Sequence, residues 1–377
     1  MVSVLENSNN KLRPDISFYG FRGGPGGISL TLISLMNEMA CLGYRIHLLL
    51  HNTRVPEKKY VHPSIRTVKL PDGGLIKRAR HLSYYIKESQ PKAMISVREP
   101  GNRAITLAKT FYKARSKVVF RVGMPLTTAL KRRALVKRML RAASIRYCYT
   151  RADMIIANHV NVAEDIAHNT GIPIENIPVI PNGTVSAFLY EQAKANPEHP
   201  WLNRKEAPVV LGIGRLARQK DFTTLIRAFC ELKKKINARL LILGEGKERI
   251  SLAALIDQLG LTASVDLYGH TDNPYAFLAR ADLFVLSSVW EGLPNALIEA
   301  MALGISCVAT DCRSGPREIL ENGKYGHLVP VGDHRTMADA MYRALLQPLD
   351  PDFIRSGASR YEAGLCARRY LEALDLV

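Results

Sequence analysis

The chain has 377 residues, of which 47% are hydrophobic, so it is long enough for two domains that each bury a substantial core. No run approaches the roughly 18 apolar residues of a membrane span, and the first 15 residues lack the basic start and apolar centre of a signal peptide. The six cysteines show neither C-x-x-C spacing nor a histidine at metal-ligand spacing, which indicates reduced thiols. We therefore expect a mature cytoplasmic protein without a membrane span.

The net charge of +18 belongs to the first half of the chain. Residues 1–190 contain 29 Lys and Arg against 11 Asp and Glu, whereas residues 191–377 contain 23 of each sign. Between Glu99 and Asp153 there are fourteen basic residues and no acidic one. A block of this kind, unlike scattered charge, indicates a surface for an anionic partner.

Strands and helices alternate through the first half. A strand is predicted from Ile16 to Tyr19, then a glycine-rich segment at 20–27, then a helix from Ile28 to Leu42. Further strands are predicted at Tyr44–Leu50, Ala93–Val97, Lys117–Val122 and Met154–Ala157. This alternation predicts a parallel, doubly wound sheet with right-handed crossovers, and residues 53–91 are less regular.

The glycine-rich segment suits close approach of the backbone to a phosphate. It is not G-x-G-x-x-G, however, and no acidic residue ends the next strand. A dinucleotide site lacks its usual anchor here, and an NAD-dependent oxidoreductase stays only as an alternative.

Residues Leu126 to Tyr149 predict an amphipathic helix. Apolar residues recur at helical spacing and are flanked by the cations Lys131, Arg132, Arg133, Lys137, Arg138, Arg141 and Arg146. Such a pattern is typical of helices that lie on an anionic membrane surface, and a packed helix with a solvated basic face is the alternative. A nucleic-acid-binding protein, the other class left open, would need aromatic platforms or a recognition motif, and neither is present.

The second half begins with a predicted interdomain linker at 192–207. A strand at Val209–Gly214 then leads into a glycine turn with Arg215 and Lys220 at its mouth, before a helix from Phe222 to Leu232. Later strands are predicted at 240–243, 264–268, 306–310 and 326–331, with two closing helices after Asp333. This pattern predicts a second doubly wound domain.

The segment 281–309 carries the strongest functional signal. A buried strand ends at Ser288, a loop follows from Trp290 to Leu293, and a helix is predicted to open at Pro294. The free amides at such a helix start suit a diphosphate. Glu299 follows Glu291 by eight residues, and helical rise over that span is roughly 12 Å. This separation suits two ends of one elongated ligand better than an acid/base pair at one bond.

Glu-Gly-Leu-Pro-Asn-Ala-Leu-Ile-Glu at 291–299 resembles the E-x7-E signature of retaining, nucleotide-sugar-dependent glycosyltransferases of family 4, which have the GT-B fold. The resemblance extends through residues 212–220, 243–246, 310–312 and 315–318, and covers most of residues 16–345. It implies two Rossmann-like domains facing a cleft. We divide the chain into an acceptor-binding domain at 1–191, the linker at 192–207, a nucleotide-sugar-binding domain at 208–360, and a C-terminal helix at 361–377 that packs back on the first domain.

The resemblance also implies roles for individual residues. Glu291, Arg215 and Lys220 are the implied catalytic residues: the glutamate holds sugar hydroxyls and the two cations neutralise the departing diphosphate. Glu299 is expected at the ribose, and the other implied donor-binding residues are Gly292, Leu293, Pro294, Asn295, Gly26, Gly27, Gly244, Glu245, Gly246, Gly269 and His270. No metal ligand and no cofactor are implied.

One position departs from the family. Many members carry a histidine at the end of the strand at 117–122, and this chain has Arg121 there. Arg121 and Asn182, which follows a predicted closing strand from Val179, are the candidate acceptor-side residues. His159 is predicted to be structural at least as readily as functional.

These observations predict a retaining, metal-independent hexosyltransferase of class EC 2.4. It is expected to move a hexose or N-acetylhexosamine from a UDP-sugar to a glycan acceptor, lipid-linked, in bacterial surface polysaccharide synthesis. The expected partners are a nucleotide sugar, this acceptor and the anionic inner face of the cell membrane, with no nucleic acid. The charge block in the acceptor-binding half supports that peripheral location.

Overall fold

The computed structural model describes residues 13–21, 27–51, 60–113, 116–127 and 135–377. They form two α/β units, each with one parallel sheet covered by helices. Unit 1 comprises residues up to Gly183 together with Ala363–Val377, and unit 2 comprises Thr184–Glu362. The predicted pair of doubly wound domains is confirmed.

Unit 1 contains a six-stranded parallel sheet with the order β3-β2-β1-β4-β5-β6. Its strands are β1 (Ile16–Tyr19), β2 (Ile46–His51), β3 (Arg66–Leu70), β4 (Ala93–Ser96), β5 (Lys117–Val122) and β6 (Met154–Ala157). In the centre of the sheet, Ile16 of β1 is in register with Ile46 of β2 and with Ala93 of β4. The order reverses beside β1, and ligands of such sheets collect at the carboxyl ends of strands near that point.

Helices cover both faces of this sheet. The helices of unit 1 are α1 (Gly27–Cys41), α2 (Leu75–Ser89), α3 (Glu99–Tyr112), α4 (Leu135–Tyr149), α5 (Val160–Thr170) and, after unit 2, α15 (Ala363–Ala373). Buried side chains of α1 and α15 pack on one face, and those of α2 to α5 pack on the other. Because successive strand residues alternate between these two cores, the strands are largely apolar, apart from the edge strand β3 with the sequence Arg-Thr-Val-Lys-Leu.

Unit 2 repeats the arrangement with the strand order β12-β11-β10-β7-β8-β9. Its strands are β7 (Val209–Ile213), β8 (Arg239–Leu243), β9 (Val265–Gly269), β10 (Leu283–Leu286), β11 (Cys307–Thr310) and β12 (His327–Val329). Its helices are α6 (Ala187–Ala193), α7 (Pro200–Asn203), α8 (Phe222–Lys233), α9 (Arg249–Gln258), α10 (Pro274–Leu278), α11 (Asn295–Ala302), α12 (Pro316–Ile319), α13 (His334–Leu346) and α14 (Pro351–Ala358).

The unit boundaries differ from those expected from sequence. Unit 2 begins at Thr184, and the segment predicted as a linker contains α7. Leu189 and Leu202 are buried in the core of unit 2, so residues 184–207 are an integral part of it. Helix α15 lies in unit 1, where it packs on α1. Three helices, not two, follow Asp333.

Several local predictions in the first half were wrong. Residues 53–91 contain β3 and α2, which the sequence pattern missed. Val179 forms only an isolated bridge with Ala157, not a closing strand. The amphipathic helix is described only from Leu135 onward, because residues 128–134 lie outside the described part of the chain.

All six cysteines are free thiols, as predicted, and four of them are buried. Burial alone raises the pKa of the Cys307 thiol, and burial is also the main cause that raises the pKa of Cys312 to about 12. Within the described ranges, none of the helices has the length and apolar character needed to cross a membrane.

Candidate active site

Two buried glutamates, Glu291 and Glu299, lie on either side of the start of α11, and each is 8% exposed. Glu291 belongs to the loop after β10, because α11 begins only at Asn295. The sequence estimate of their separation assumed helix throughout and is wrong in that respect. Only the last four steps are helical, and they contribute about 6 Å of rise.

Glu291 is fixed by a cation and a hydroxyl. Lys220 Nζ lies 2.7 Å from Glu291 Oε1, and Ser288 Oγ donates to the same oxygen at 2.6 Å. The Thr310 hydroxyl donates to the carbonyl of Ser288 at 2.6 Å, which anchors the end of β10. Both donors bond the same carboxylate oxygen, and charge-assisted hydrogen bonds of this kind are the stronger ones.

The turn after β7 positions Lys220. Asp221 caps α8 by accepting a hydrogen bond from the Thr224 amide, and Ser287 Oγ donates to the Lys220 carbonyl at 2.7 Å. The lysine stem passes over Gly214, where an added Cβ would lie 2.8 Å from Lys220 Cε. A side chain at position 214 would therefore displace the ammonium group from Glu291.

A neighbouring pair of contacts joins the same two loops. Gln219 Nε2 donates to the Trp290 carbonyl at 3.0 Å, and the Val289 amide donates to the Gln219 carbonyl at 2.8 Å. Ser288, Thr310 and Gln219 were not predicted from sequence. The two serines that follow β10, Ser287 and Ser288, were the available signal, because polar residues after a strand face the ligand edge of a parallel sheet.

Arg215 lies in the same turn as Lys220 but is exposed. Its guanidinium makes no hydrogen bond or ion pair with another residue in the described part of the chain, in contrast to the paired Lys220. The structure therefore places both predicted cations in one turn and fixes the position of only one. An exposed guanidinium there is available to an anionic ligand.

Among the described residues, no cation is bonded to Glu299. Tyr275 Oη donates to Glu299 Oε1 over a long 3.5 Å. Burial raises the pKa of Glu299 to about 7, and the Tyr275 hydrogen bond and the charge of Lys220 oppose that rise only in part. A carboxyl group that is half protonated at neutral pH both donates and accepts hydrogen bonds, which suits a sugar hydroxyl pair.

The predicted diphosphate loop, Gly292 to Asn295, precedes α11. Gly292, Leu293 and Pro294 are buried, and Asn295 accepts a 3.3 Å hydrogen bond from the Thr184 hydroxyl. Gly315 lies against this loop with a φ of 94°, and an added Cβ there would come within 2.5 Å of Pro294 Cδ. Only glycine fits this approach, so the segment that contains Gly315 supports the loop directly.

The glycines of the next turn serve packing. A Cβ on Gly244 would lie 1.9 Å from the Gly214 carbonyl oxygen, and one on Gly246 would lie 2.1 Å from that of Leu216. The Leu216 amide also donates to the Glu245 carbonyl at 3.0 Å. The two glycine turns therefore support each other. This contact accounts for both glycines without a ligand, and their predicted donor contacts stay predictions.

The remaining predicted donor-binding residues lie after β8 or at the end of β9 in unit 2, or precede and begin α1 of unit 1. The Glu245 carboxylate pairs with Arg249 at 3.0 Å, beside Gly269, which has a φ of 96°. His270 Nε2 lies 3.3 Å from Asp272 Oδ1, and both side chains are largely exposed. Gly27 begins α1, and Gly26 lies outside the described residues.

The candidate acceptor-side residues meet in unit 1. The Arg121 guanidinium donates to Asn182 Oδ1, and both residues are buried. His159 Nδ1 accepts from the Asn161 amide at 3.1 Å and so caps α5, a structural role. In the described residues, no three His, Cys, Asp or Glu side chains are grouped so that they could hold a metal ion.

Comparison with known proteins identifies the family. The model of Glycosyltransferase Family 4 matches residues 25–187, and that of Glycosyl transferases group 1 matches residues 196–360. The chain belongs to the GT-B glycosyltransferases of family 4. The two matches divide this glycosyltransferase close to the boundary between its two units.

Named relatives support the same family. The chain is 29% identical over 349 residues to the N-acetylgalactosamine-N,N'-diacetylbacillosaminyl-diphospho-undecaprenol 4-alpha-N-acetylgalactosaminyltransferase of Campylobacter jejuni, covering 88% of this chain and 89% of that one. It is 33% identical over 208 residues to the lipopolysaccharide core biosynthesis glycosyltransferase LpsE of Rhizobium meliloti, covering 55% and 57%.

Solved structures share the fold of this glycosyltransferase. Anabaena Alr3699/HepE in complex with UDP has a TM-score of 0.76 at 19% identity, over 96% of this chain and all of the other. The lipopolysaccharide outer core galactosyltransferase WaaB has a TM-score of 0.72 at 21% identity, over 96% of this chain and 99% of the other. At this level of identity the likeness establishes the fold.

Proposed function

We propose that this glycosyltransferase moves a hexose or N-acetylhexosamine from a UDP-sugar to a lipid-linked glycan acceptor, with retention of configuration and without a metal ion. The observation that carries the proposal is the 2.7 Å Lys220–Glu291 ion pair beside the start of α11. A cation, a carboxylate and the amino-terminal end of a helix are thereby brought together, and these groups match a sugar diphosphate.

Each group of the donor site has a distinct role in this proposal. Lys220, Arg215 and the backbone amides of Gly292, Leu293 and Asn295 hold the diphosphate, with Pro294, which has no N–H, between them. Glu291 accepts hydrogen bonds from the transferred sugar, and Glu299 binds the ribose hydroxyls. Glu291 is a poor nucleophile here, because Lys220 and Ser288 both engage its Oε1.

The reaction then needs no carboxylate intermediate. The bond between the anomeric carbon and the diphosphate oxygen breaks while the acceptor hydroxyl attacks from the same face. The departing oxygen takes the hydroxyl proton, and the electron pair of the broken bond stays on the diphosphate. Lys220 and Arg215 stabilise that developing charge, which is where preorganised cations lower a barrier most.

The names of relatives support the acceptor and the pathway. The Campylobacter jejuni relative is named for a diphospho-undecaprenol-linked acceptor, and the Rhizobium meliloti relative for lipopolysaccharide core synthesis. The Anabaena structure was determined with UDP. We therefore assign this chain a UDP-sugar donor and a place in bacterial surface polysaccharide synthesis.

The test begins with thermal stabilisation by a panel of nucleotide sugars. A ligand present at 100 times its dissociation constant adds about 2.7 kcal/mol to the free energy of unfolding. We expect UDP-sugars to raise the melting temperature, with no loss in EDTA, and NMR of the product to show the donor's anomeric configuration. Stabilisation by another nucleotide class, or an inverted product, contradicts the proposal.

The location is proposed from the exposed part of α4. Val136, Met139 and Leu140 are 68%, 65% and 68% exposed, which is unusual for apolar side chains on one helix. Lys137 and Arg138 lie between them and are also exposed. We propose that this segment docks on the anionic inner face of the cell membrane, with the apolar side chains inserted and the cations at the phosphates.

Liposome co-sedimentation tests the docking. Each cation at an anionic surface contributes about 1 kcal/mol, so Lys137→Gln with Arg138→Gln is expected to weaken binding roughly tenfold or more. The matched control is Lys233→Gln with Lys234→Gln in unit 2, which removes the same charge. Equal weakening by both pairs, or equal binding of the wild type to neutral and anionic vesicles, contradicts a specific docking segment.

A further inference from the structure

Arg121 is a buried cation whose charge no described residue offsets. It is 6% exposed, near the carboxyl end of β5, and its guanidinium donates to the neutral amide oxygen of Asn182. Among the described residues, no carboxylate lies within 4.0 Å of it. By contrast, Asp15, another buried charged residue of unit 1, is paired with two cations. It lies 3.2 Å from Arg45 and 3.0 Å from Lys92.

The phenol nearest this charge is not its counter-ion. Burial raises the pKa of Tyr370 on α15, and the Arg121 charge opposes that rise only in part. Tyr370 is therefore neutral at physiological pH. A guanidinium is always protonated, so the site carries one uncompensated positive charge in a poorly solvated place.

Polar groups surround Arg121, and the absence of a side chain at Gly123 leaves room beside them. A Cβ added to Gly123 would lie 3.5 Å from Asn158 Nδ2 and 3.9 Å from Arg121 Nη1, so Gly123 leaves space beside both groups. Asn158 is 3% exposed, and its Nδ2 makes long 3.5 Å hydrogen bonds to the Gly123 carbonyl and to Asn182 Oδ1, so this amide is a donor beside the guanidinium. Helix α5 starts two residues after Asn158, and the positive end of its dipole adds to the Arg121 charge.

We propose that Arg121, with Asn158 and the start of α5, forms an oxyanion subsite of unit 1. It takes a phosphate or carboxylate group of the sugar substrate that this unit binds. A ligand anion supplies the missing counter-charge and makes a two-point contact with the guanidinium fork. That the ligand is a substrate rests on the proposed function. That the ligand is an anion rests on the buried, unpaired charge of Arg121.

Binding of small probes tests the subsite without any turnover. Calorimetry compares methyl β-D-glucuronide with methyl β-D-glucoside, and glycerol 1-phosphate with glycerol, on the full-length protein. We expect the anionic member of at least one pair to bind tenfold or more tightly than its neutral control. A preference for the glucuronide indicates a carboxylate on the sugar, and a preference for glycerol 1-phosphate indicates the phosphate of the acceptor.

Variants show whether the anionic probe binds at Arg121 or at the phosphate site of unit 2. Arg121→Gln should abolish the preference for the anion, and Arg121→Lys should keep part of it, because the charge stays while the fork is lost. Lys220→Gln, which alters the phosphate site of unit 2, should leave the preference within about twofold. Loss in Lys220→Gln with retention in Arg121→Gln assigns the anion to unit 2 and overturns the proposal.

A measurement on the wild type covers the case in which Arg121→Gln fails to fold. The ¹⁵Nε resonance of Arg121 should move on titration with the preferred anion and stay in place with its neutral control. An unmoved resonance, or no anion preference in either pair, means that Arg121 only supports Asn182. Failure of UDP-sugar turnover leaves these binding results unchanged, so the two proposals fail separately.

Discussion

Glu291 and Glu299 are equally buried, yet their surroundings differ in charge. Each is 8% exposed, but Glu291 lies 2.7 Å from a lysine, whereas in the described part of the chain Glu299 is bonded only to a tyrosine hydroxyl at 3.5 Å. Burial raises the pKa of Glu299 to about 7. Depth in the fold therefore does not distinguish the two carboxyl groups. The cation in contact with Glu291 does.

The largest expected effect comes from removing that cation. Lys220→Gln leaves Glu291 buried and unpaired, which should cost about 3 kcal/mol of unfolding free energy. Turnover should fall by roughly two orders of magnitude or more, because one preorganised charge at the diphosphate is lost. Denaturant unfolding and steady-state kinetics measure the two losses.

The double variant Lys220→Gln with Glu291→Gln sharpens this result. Removing both charges should restore most of the lost stability but none of the turnover. Lys233→Gln, at the end of α8, is the control for the loss of a lysine charge elsewhere in unit 2. Equal instability of the single and double variants would show that the ion pair is not what stabilises Glu291.

Arg215 is expected to separate catalysis from stability. Its side chain is exposed and contacts no described partner, so Arg215→Ala should leave the unfolding free energy within about 0.5 kcal/mol of the wild type. Turnover should still fall roughly a hundredfold, if the guanidinium stabilises the departing diphosphate. Near-normal turnover in this variant would remove Arg215 from the site.

Glu299→Gln should raise the free energy of unfolding by an amount that depends on pH. The pKa of Glu299 is raised from an ordinary value of 4.5 to about 7, so its contribution to stability is full below pH 4.5 and is lost as pH rises through 7. The variant should match the wild type near pH 4.5 and exceed it at pH 8, by on the order of 3 kcal/mol. Denaturant titrations at both pH values test this.

The same variant addresses ligand binding. Glu299→Gln should weaken free UDP and the UDP-sugar alike, because the ribose is common to both. Glu291→Gln should mainly weaken the sugar-bearing donor. Calorimetry with the two ligands separates these patterns, and an identical loss for both ligands in both variants would disprove the division of roles.

The smallest effects distinguish the two hydroxyl groups. Ser288→Ala removes a 2.6 Å bond to a charged carboxylate and should cost about 1.5 kcal/mol. Tyr275→Phe removes a 3.5 Å contact and should cost a few tenths of a kcal/mol, since a bond of that length is weak. Similar costs for both would mean that Glu299 is bonded more tightly than its geometry indicates.

The sequence was sufficient for the fold, and it singled out the residues that we propose for the donor site. Apolar runs ended by serine or glycine predicted β7 and β10, and the E-x7-E spacing singled out Glu291 and Glu299. These features depend on local pattern, which a single sequence contains.

The ion pair between Lys220 and Glu291 could not be predicted from local sequence pattern. Lys220 and Glu291 are 71 residues apart, and only the adjacent packing of β7 and β10 brings them together. The glycines of the turns were assigned to ligand approach, whereas Gly244 and Gly246 are needed where one turn crosses another. The pattern does not distinguish a glycine required by a ligand from one required by a neighbouring loop.

The return of α15 to unit 1 has a consequence for how the chain is made on the ribosome. Unit 2 is one continuous stretch, Thr184–Glu362, and is complete before the last 15 residues are synthesised. Unit 1 is begun first but finished last, because Cys366, Tyr370 and Leu371 of α15 fill its core against α1. During synthesis, the apolar face of α1 therefore stays uncovered by α15 until the end of the chain has been made. A stop codon near position 363 would damage the unit that was translated first and leave the later one whole.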